Sequence, residues 1–407
     1  MKKIKEFEEK YPRNHMILSE DITFDLDDYK TKLNNNVVVI GSPGSGKSNS
    51  VVLPNIYQAS GSYVISDPKG RLYRETADYL REKGYEVILL DFHNPTKTGH
   101  YNPLVYLDTI QDIVTMAHVL AHQNRNVSFV NDPFWDCAAE GLYTAILAYL
   151  VLECPMKQRT LNNMVRLISM MNVEENSKFC ELDKIFEKLY RKNPDSFAYH
   201  QYKKIRFCPV KTLQSIVITA QTSLLLLENP ELNVMTATDD IDLPSLGEKK
   251  KAVFLVVSDT DRSMDILANL FFTQAMNQLC NYADKQCDGR LAIPVRFILD
   301  DFGTNLKIVE FSRFISSIRS RGISIMLVLQ SESQLREEYK KNADTILAGC
   351  DTIVYMGGND LETAKMIAER INESVQNILW QEIGTIIIIQ RGKKPIVTKA
   401  FDIWKYK

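Results

Sequence analysis

Eight consecutive residues, Gly41-Ser42-Pro43-Gly44-Ser45-Gly46-Lys47-Ser48, carry the first recognisable chemistry of the chain. Glycines let a short loop turn its backbone N–H groups inward, where they can cradle phosphate oxygens. Lys47 then sets a positive charge against β- and γ-phosphates. The hydroxyl of Ser48 can reach Mg2+ at the start of the next helix, whose N-terminus itself favours anions. The spacing is that of a P-loop, so Gly41 to Ser48, together with Asn49, are the expected binding residues for ATP. A chance match in a Gly/Ser loop needs no strand before it, whereas Val37-Val38-Val39-Ile40 leads directly into this one. Pro54, inside the helix that should come next, is expected to kink it.

A phosphate loop of this kind needs a carboxylate at the end of a neighbouring strand. Arg296-Phe297-Ile298-Leu299-Asp300-Asp301 supplies two. Asp300 is expected to hold Mg2+ with Ser48, and Asp301 to polarise an attacking water. Acids also end many strands in solvated turns, but the upstream loop favours the catalytic reading. Gln330 ends the next apolar run, Ile323 to Leu329. There it can face a γ-phosphate or be no more than a strand-terminal glutamine. Arg319 and Arg321, just before that run, form a basic turn. In a ring of subunits Arg319 could serve a neighbour as an arginine finger, worth roughly 10³–10⁵ in rate; a solvated arginine pair is the commoner fate. The catalytic candidates are therefore Lys47, Asp300, Asp301, Gln330 and Arg319. Asp67 and Lys69, in Ser66-Asp67-Pro68-Lys69-Gly70, come after a second strand-like run, at the end where α/β sheets place ligands. They lie near the nucleotide or a subunit boundary, or else form an Asp-Pro turn. Lys203, Lys204, Arg206 and Lys211 beside Tyr202 and Phe207 could track a nucleic-acid backbone, but read more simply as one solvated helix face.

The elements that must position these residues are legible too. Near-continuous apolar runs at 37–40, 62–66, 86–90, 252–257, 295–299, 323–329 and 352–355 alternate with helical stretches such as Arg71 to Lys83. That pattern indicates a buried, mostly parallel sheet. Residues 385–390 and 396–398 read as a closing hairpin. From Asp108 to Thr236 the periodicity is almost wholly helical. Asp132 caps and Pro133 opens one helix whose apolar positions are Trp135, Ala138, Leu142, Ile146 and Leu150. Others cover 161–171, 182–190 and 212–227. The fold class is α/β, with residues 1–107 and 237–407 forming a nucleotide-binding domain and 108–236 an inserted all-α domain.

Composition excludes several classes. Lys and Arg total 49 against 51 Asp and Glu, a net charge of -2, so a polybasic nucleic-acid coat is ruled out while a local basic lining is not. Seven cysteines stand singly, as expected of reduced thiols in the cytosol. The six histidines show no zinc-ligand spacing. No apolar run approaches the length that spans a bilayer, and the charged N-terminus lacks a signal-peptide core.

The ordered motifs resemble those of the type IV secretion coupling proteins, the TraG/TraD-like conjugation ATPases, and look closest to those of conjugative transposons in Gram-positive bacteria. The set runs from Gly41–Ser48 through Asp67-Pro68-Lys69-Gly70, Asp91, Asn102-Pro103-Leu104 and Asp132-Pro133-Phe134-Trp135. It continues with Leu299-Asp300-Asp301-Phe302, Gln330 to Leu335, Ile346 to Asp351 and Gly357 to Ala364. The resemblance implies a RecA-like motor domain with an all-α domain facing DNA or cargo, and ATP and Mg2+ as cofactors. It also implies a homo-hexamer at the inner face of the cell membrane, attached through a segment absent from this chain. Partners would be single-stranded DNA with its relaxase and the components of the secretion channel. Lys47, Ser48, Asp300 and Gln330 carry over as nucleotide-site residues and Arg319 as the finger. One departure concerns hydrolysis: the family usually reads Asp-Glu-Phe where this chain has Asp300-Asp301-Phe302. Aspartate reaches about 1.5 Å less far, and a misplacement of about 1 Å can cost on the order of 10²-fold. The alternatives to a DNA translocase are a nucleotide-gated docking platform with weak hydrolysis and a helicase- or partition-type RecA motor.

Overall fold

Nine strands form the central sheet, in the order β11-β10-β9-β3-β8-β7-β4-β6-β5. They are β3 (Val37–Ile40), β4 (Ser62–Ser66), β5 (Glu86–Asp91), β6 (Lys251–Val256), β7 (Val295–Leu299), β8 (Ile323–Leu329), β9 (Thr352–Tyr355), β10 (Thr385–Gln390) and β11 (Ile396–Lys399). A small antiparallel pair, β1 (His15–Ile17) and β2 (Thr23–Asp25), stands apart from them. The structure, a computed structural model, describes residues 2–122, 133–174, 179–258, 264–303 and 306–406.

Strands β3 to β9 all pair in parallel, and β10 and β11 close one edge as an antiparallel hairpin. Every residue of β3, β4, β6, β7, β8 and β9 is buried. A strand covered on both faces has no polar side to show, so its sequence is a near-continuous apolar run. β11 alternates between half-buried and exposed positions, as an edge strand does. Register sets which strand tips meet. Ile40 pairs with Leu329, and Leu299 with Leu327, so the C-terminal ends of β3, β8 and β7 lie side by side.

The helix after the glycine-rich loop departs from the expected simple kink. Ser48–Val52 is a π-helical turn in which the Leu53 N–H reaches back five residues to the Ser48 carbonyl. An α-helical segment, Leu53–Tyr57, then restarts with Pro54 in one of its first two positions. Proline has no N–H to donate and its ring crowds the preceding turn, so the shift of hydrogen bonding into a π-turn just before it takes up the break in the α-helical ladder. The next residue, Asn55, is fully buried. Its amide donates to the carbonyls of Ile17 (2.7 Å) and Val51 (2.8 Å), and its oxygen accepts from the Ile17 N–H (3.1 Å). One side chain thus ties β1 to the helix of the loop.

The chain separates into two compact units: Met1–His93 with Asp242–Arg262 and Ala275–Lys407, which holds the sheets, and Asn94–Ile241 with Ser263–Gln274. The second unit is built from helices, among them Ile110–His122, Pro133–Ala148, Leu161–Ser169, Glu181–Lys192, Phe197–Arg206 and Val210–Ser223. Pro133–Ala148 lies at its centre, packed by Ile110–His122, Phe197–Arg206 and Val210–Ser223. The expected Asp132 cap lies outside the described residues. Two sequence expectations need correction here. Pro133–Glu153, 21 residues, is long and apolar enough to cross a membrane, yet more than half of its most apolar window is buried inside the protein. Its apolarity is that of a core helix, buried on several sides at Leu142, Tyr143, Ile146 and Leu147. Also, His118 and His122 are spaced i, i+4 on one helix and meet Glu140 of another, which is a metal-ligand spacing.

The Asn55 bonds give a test of stability. Asn55→Ala would leave three buried backbone groups without their partner. It should lower the unfolding free energy of the full chain by about 3 kcal/mol, read as a shifted urea midpoint; an unchanged midpoint would show that these bonds contribute nothing net.

Candidate active site

β3 delivers the glycine-rich loop, and its two neighbours hold it. The Gly41 N–H donates to Leu329 O of β8 (3.2 Å), and the Ser42 N–H to Gly357 O beyond β9 (3.0 Å). Gly44 and Gly46 have φ of +80° and +90°, the left-handed region that a residue without Cβ enters freely. These two positions turn the loop back on itself. Lys47 is buried, and its ammonium donates to the carbonyls of Gly41 (2.6 Å) and Ser42 (3.1 Å). Burial pulls its pKa below the ordinary lysine value, while Asp301 and Asp300 act against that. The Ser45 hydroxyl is buried with no hydrogen-bond partner among the described residues. Pro43 and Gly44 are exposed at the loop tip.

β7 delivers the acids. The Ser48 hydroxyl donates to Asp300 Oδ2 at 2.9 Å. Burial, then the charge of Asp301, lifts the Asp300 carboxyl from its ordinary 3.8 to about 6, and the Ser48 bond only partly offsets this. Asp301 adopts a left-handed backbone, φ +51°, and its N–H donates to Asp300 Oδ1 at 3.2 Å. Few residues other than glycine hold that conformation; aspartate is among those that tolerate it. Phe302 anchors the turn, packed against Phe311 and stacked on Tyr339.

β8, lying between β3 and β7, is followed directly by Gln330. Its amide nitrogen stands 3.5 Å from Asp301 Oδ1, and its oxygen 3.5 Å from the amide nitrogen of Gln334. Gln334 in turn is set by the helix Glu332–Tyr339, capped by the Ser331 hydroxyl accepting from the Gln334 N–H. Lys47, Ser48, Asp300, Asp301 and Gln330 therefore converge at the ends of three adjacent strands. An inward-turning loop, a buried ammonium and a hydroxyl–carboxylate pair fit a nucleotide triphosphate and a hard, oxygen-seeking cation.

Other candidates sit differently. Asn49 accepts from Arg71 (2.5 Å), which also pairs with Glu75. Sequence reasoning missed Arg71; its only signal is a place at the start of the helix behind the second strand. Asp67 is buried and caps that helix, accepting from the N–H groups of Arg71 (2.9 Å) and Tyr73 (2.8 Å). Burial still raises its pKa. Lys69 is exposed. Arg319 is not brought to the cluster. It precedes β8 at the opposite end of the strand from Gln330, donating to Asp28 O at 2.8 Å. Arg321 grips Asp284 through two bonds, of 2.8 and 2.7 Å. In the helical unit, Arg206 and Tyr202 both turn onto Asp183 rather than outward, while Phe207 is exposed.

The family model for type IV secretory system conjugative DNA transfer matches residues 2–376. Among curated relatives, the chain is 23% identical to the VirD4 protein of Rhizobium radiobacter over 83% of its own length and 48% of that protein. It is 22% identical to VirD4 of Agrobacterium fabrum over 83% of itself and 49% of that protein. The chain thus spans about half the length of these relatives. Among solved structures, the plasmid coupling protein TrwB in complex with ADP and Mg2+ is similar, with TM-score 0.69 at 16% identity, covering 98% of this chain and 92% of that one. VirB4 of Thermoanaerobacter pseudethanolicus shares the fold, with TM-score 0.58 at 14% identity and 97% of each chain covered. The fold is accordingly the RecA-like P-loop architecture with an all-α domain.

The raised Asp300 carboxyl has a measurable consequence. Between its ordinary pKa and about 6 the folded chain binds a proton that the unfolded chain does not, so stability falls as pH rises through that window. Above about pH 6 the ionised acid costs roughly 2–3 kcal/mol. Without metal or nucleotide, Asp300→Asn should raise the urea midpoint at about pH 8 and lose that gain toward about pH 4. An equal gain at both ends would refute the assignment.

Proposed function

The chain belongs to the type IV secretory family of conjugative DNA transfer, and from that premise we propose that it is an ATP-driven coupling protein that recruits a relaxase–DNA complex and moves it toward the secretion channel. The observation that carries the proposal is the convergence of Lys47, Ser48, Asp300, Asp301 and Gln330 at the ends of β3, β7 and β8. The TrwB structure of the same fold holds ADP and Mg2+, which supports the same ligands here.

In this reading the loop N–H groups and Lys47 bind the β- and γ-phosphates. Ser48 and Asp300 would hold Mg2+, which when bound neutralises phosphate charge. Asp301, steadied by Gln330, orients the attacking water and accepts its proton. Gln330 also senses the γ-phosphate. Arg319, remote from its own chain's cluster, serves a neighbouring subunit as the finger, which requires a closed ring such as a hexamer and release from Asp28. We assign the motor to residues 1–107 and 237–407, and the DNA- or cargo-facing role to the all-α segment 108–236. The site of action is the inner face of the cell membrane. DNA would be held mainly through its phosphates, with affinity that falls as salt rises.

ATP turnover should rise with protein concentration and with single-stranded DNA, measured against Lys47→Ala. Arg319→Ala should abolish it while nucleotide still binds. Turnover that stays at the Lys47→Ala level under every condition would overturn the motor. Asp301 in place of glutamate favours one second reading, a docking platform with weak hydrolysis. Asp301→Glu then separates the two: if it raises turnover by an order of magnitude or more, the native site is tuned for slow hydrolysis and the platform stands.

A further inference from the structure

Two helices of the all-α unit bring together four chemistry-bearing side chains that the nucleotide chemistry does not use. His118 and His122 stand one turn apart near the end of Ile110–His122. Asp136 and Glu140 stand one turn apart in the first half of Pro133–Ala148. Both imidazoles are directed at the same oxygen: His122 Nε2 lies 2.7 Å and His118 Nδ1 3.3 Å from Glu140 Oε2. Donor atoms of these three residues all lie within 4.8 Å of one another.

We propose that His118, His122 and Glu140 bind one transition-metal ion of the Zn2+ class. The simpler alternative is a hydrogen-bonded network, since 2.7 and 3.3 Å are hydrogen-bond distances, and the metal titration below separates the two. The two rings stand 4.3 Å apart, on one face of their helix. Two neutral imidazoles and a carboxylate facing a common point are what a divalent cation satisfies. Zinc takes nitrogen and oxygen ligands at about 2.0–2.2 Å in a tetrahedron, which puts neighbouring ligand atoms about 3.4 Å apart. The His118–Glu140 separation of 3.3 Å is already near that value, and the His122–Glu140 contact of 2.7 Å would lengthen to it by side-chain rotation. The other nitrogen of His122 faces Asp136 Oδ2 at 3.9 Å. A rotation that closes this gap to a hydrogen bond would let Asp136 orient the ring for a metal. Imidazole donors select against Mg2+ and Ca2+, so this site differs in kind from the all-oxygen pair of Ser48 and Asp300. Three protein ligands leave a fourth position for water or an added ligand.

The test uses the full chain, stripped with a chelator and titrated with ZnCl2 or CoCl2 in excess Mg2+. The expected result is one equivalent bound per chain, with the intense visible absorption of four-coordinate Co2+ and a higher melting temperature in Zn2+. His122→Ala and Glu140→Gln should each abolish these signals. Asp136→Asn should weaken affinity by roughly 10–100-fold. A far-ultraviolet circular dichroism spectrum and metal-free melting transition unchanged from the wild type would show that each variant is folded. The proposal fails if the wild-type chain binds no equivalent in excess Mg2+, or if both His122→Ala and Glu140→Gln bind as the wild type does.

Discussion

The contact between the Ser48 hydroxyl and the Asp300 carboxylate joins residues 252 positions apart, and the architecture of the sheet arises from the need to make it. Ser48 starts the helix behind β3, and Asp300 tips β7. Parallel strands with β8 between them bring both to one edge. Each parallel neighbour needs a crossover connection, so the chain must leave and re-enter the sheet several times. The longest of these excursions, from β5 to β6, carries most of the helical unit. A sheet buried on both faces is the cost of holding the two groups in register, and it is also why six of its strands read as near-continuous apolar runs.

The site is held in a state that does not favour folding for its own sake. Asp300 is a carboxylate in a buried setting with a second acid beside it. Asp301 sits in a sparsely populated backbone region, and Lys47 is a buried ammonium. Each costs stability, and surrounding structure compensates: the Phe302–Tyr339 stack, the Ser331 cap under Gln334, and the bonds of Asn55 to β1 and to its own helix. Strain gathered at one place and offset elsewhere is what an active site asks of its scaffold.

Much of this is legible from residue types alone. The strands stand out because their burial leaves no alternation to confuse them, and the glycine-rich loop because its spacing has few other uses. Asp300 and Gln330 stand out because polar residues ending apolar runs mark strand tips. What escapes a reading of residues depends on the third dimension. β1 and β2 are three residues each, too short for any period to show. Nothing local in Ser48–Val52 announces a π-turn; only the later proline hints at one. The Arg319–Asp28 and Arg71–Asn49 contacts join distant segments. The histidine pair is silent in the sequence because its carboxylate partner lies on another helix, so the one-turn spacing has no visible second half.

The central helix of the all-α unit has a consequence for how the chain is made. Its apolar stretch, Pro133–Glu153, leaves the ribosome after Ile110–His122 but well before Phe197–Arg206 and Val210–Ser223. Those two later helices cover much of it in the finished protein. During synthesis the segment therefore emerges as an apolar helix with only part of its covering in place. Nascent chains fold from the N-terminus as they emerge, and exposed apolar surface in that interval is what invites aggregation or misdirected contact with a bilayer. The sequence order of the helices makes the emergence of Val210–Ser223 the event that ends this exposure, so the timing of translation belongs to the physics of this unit.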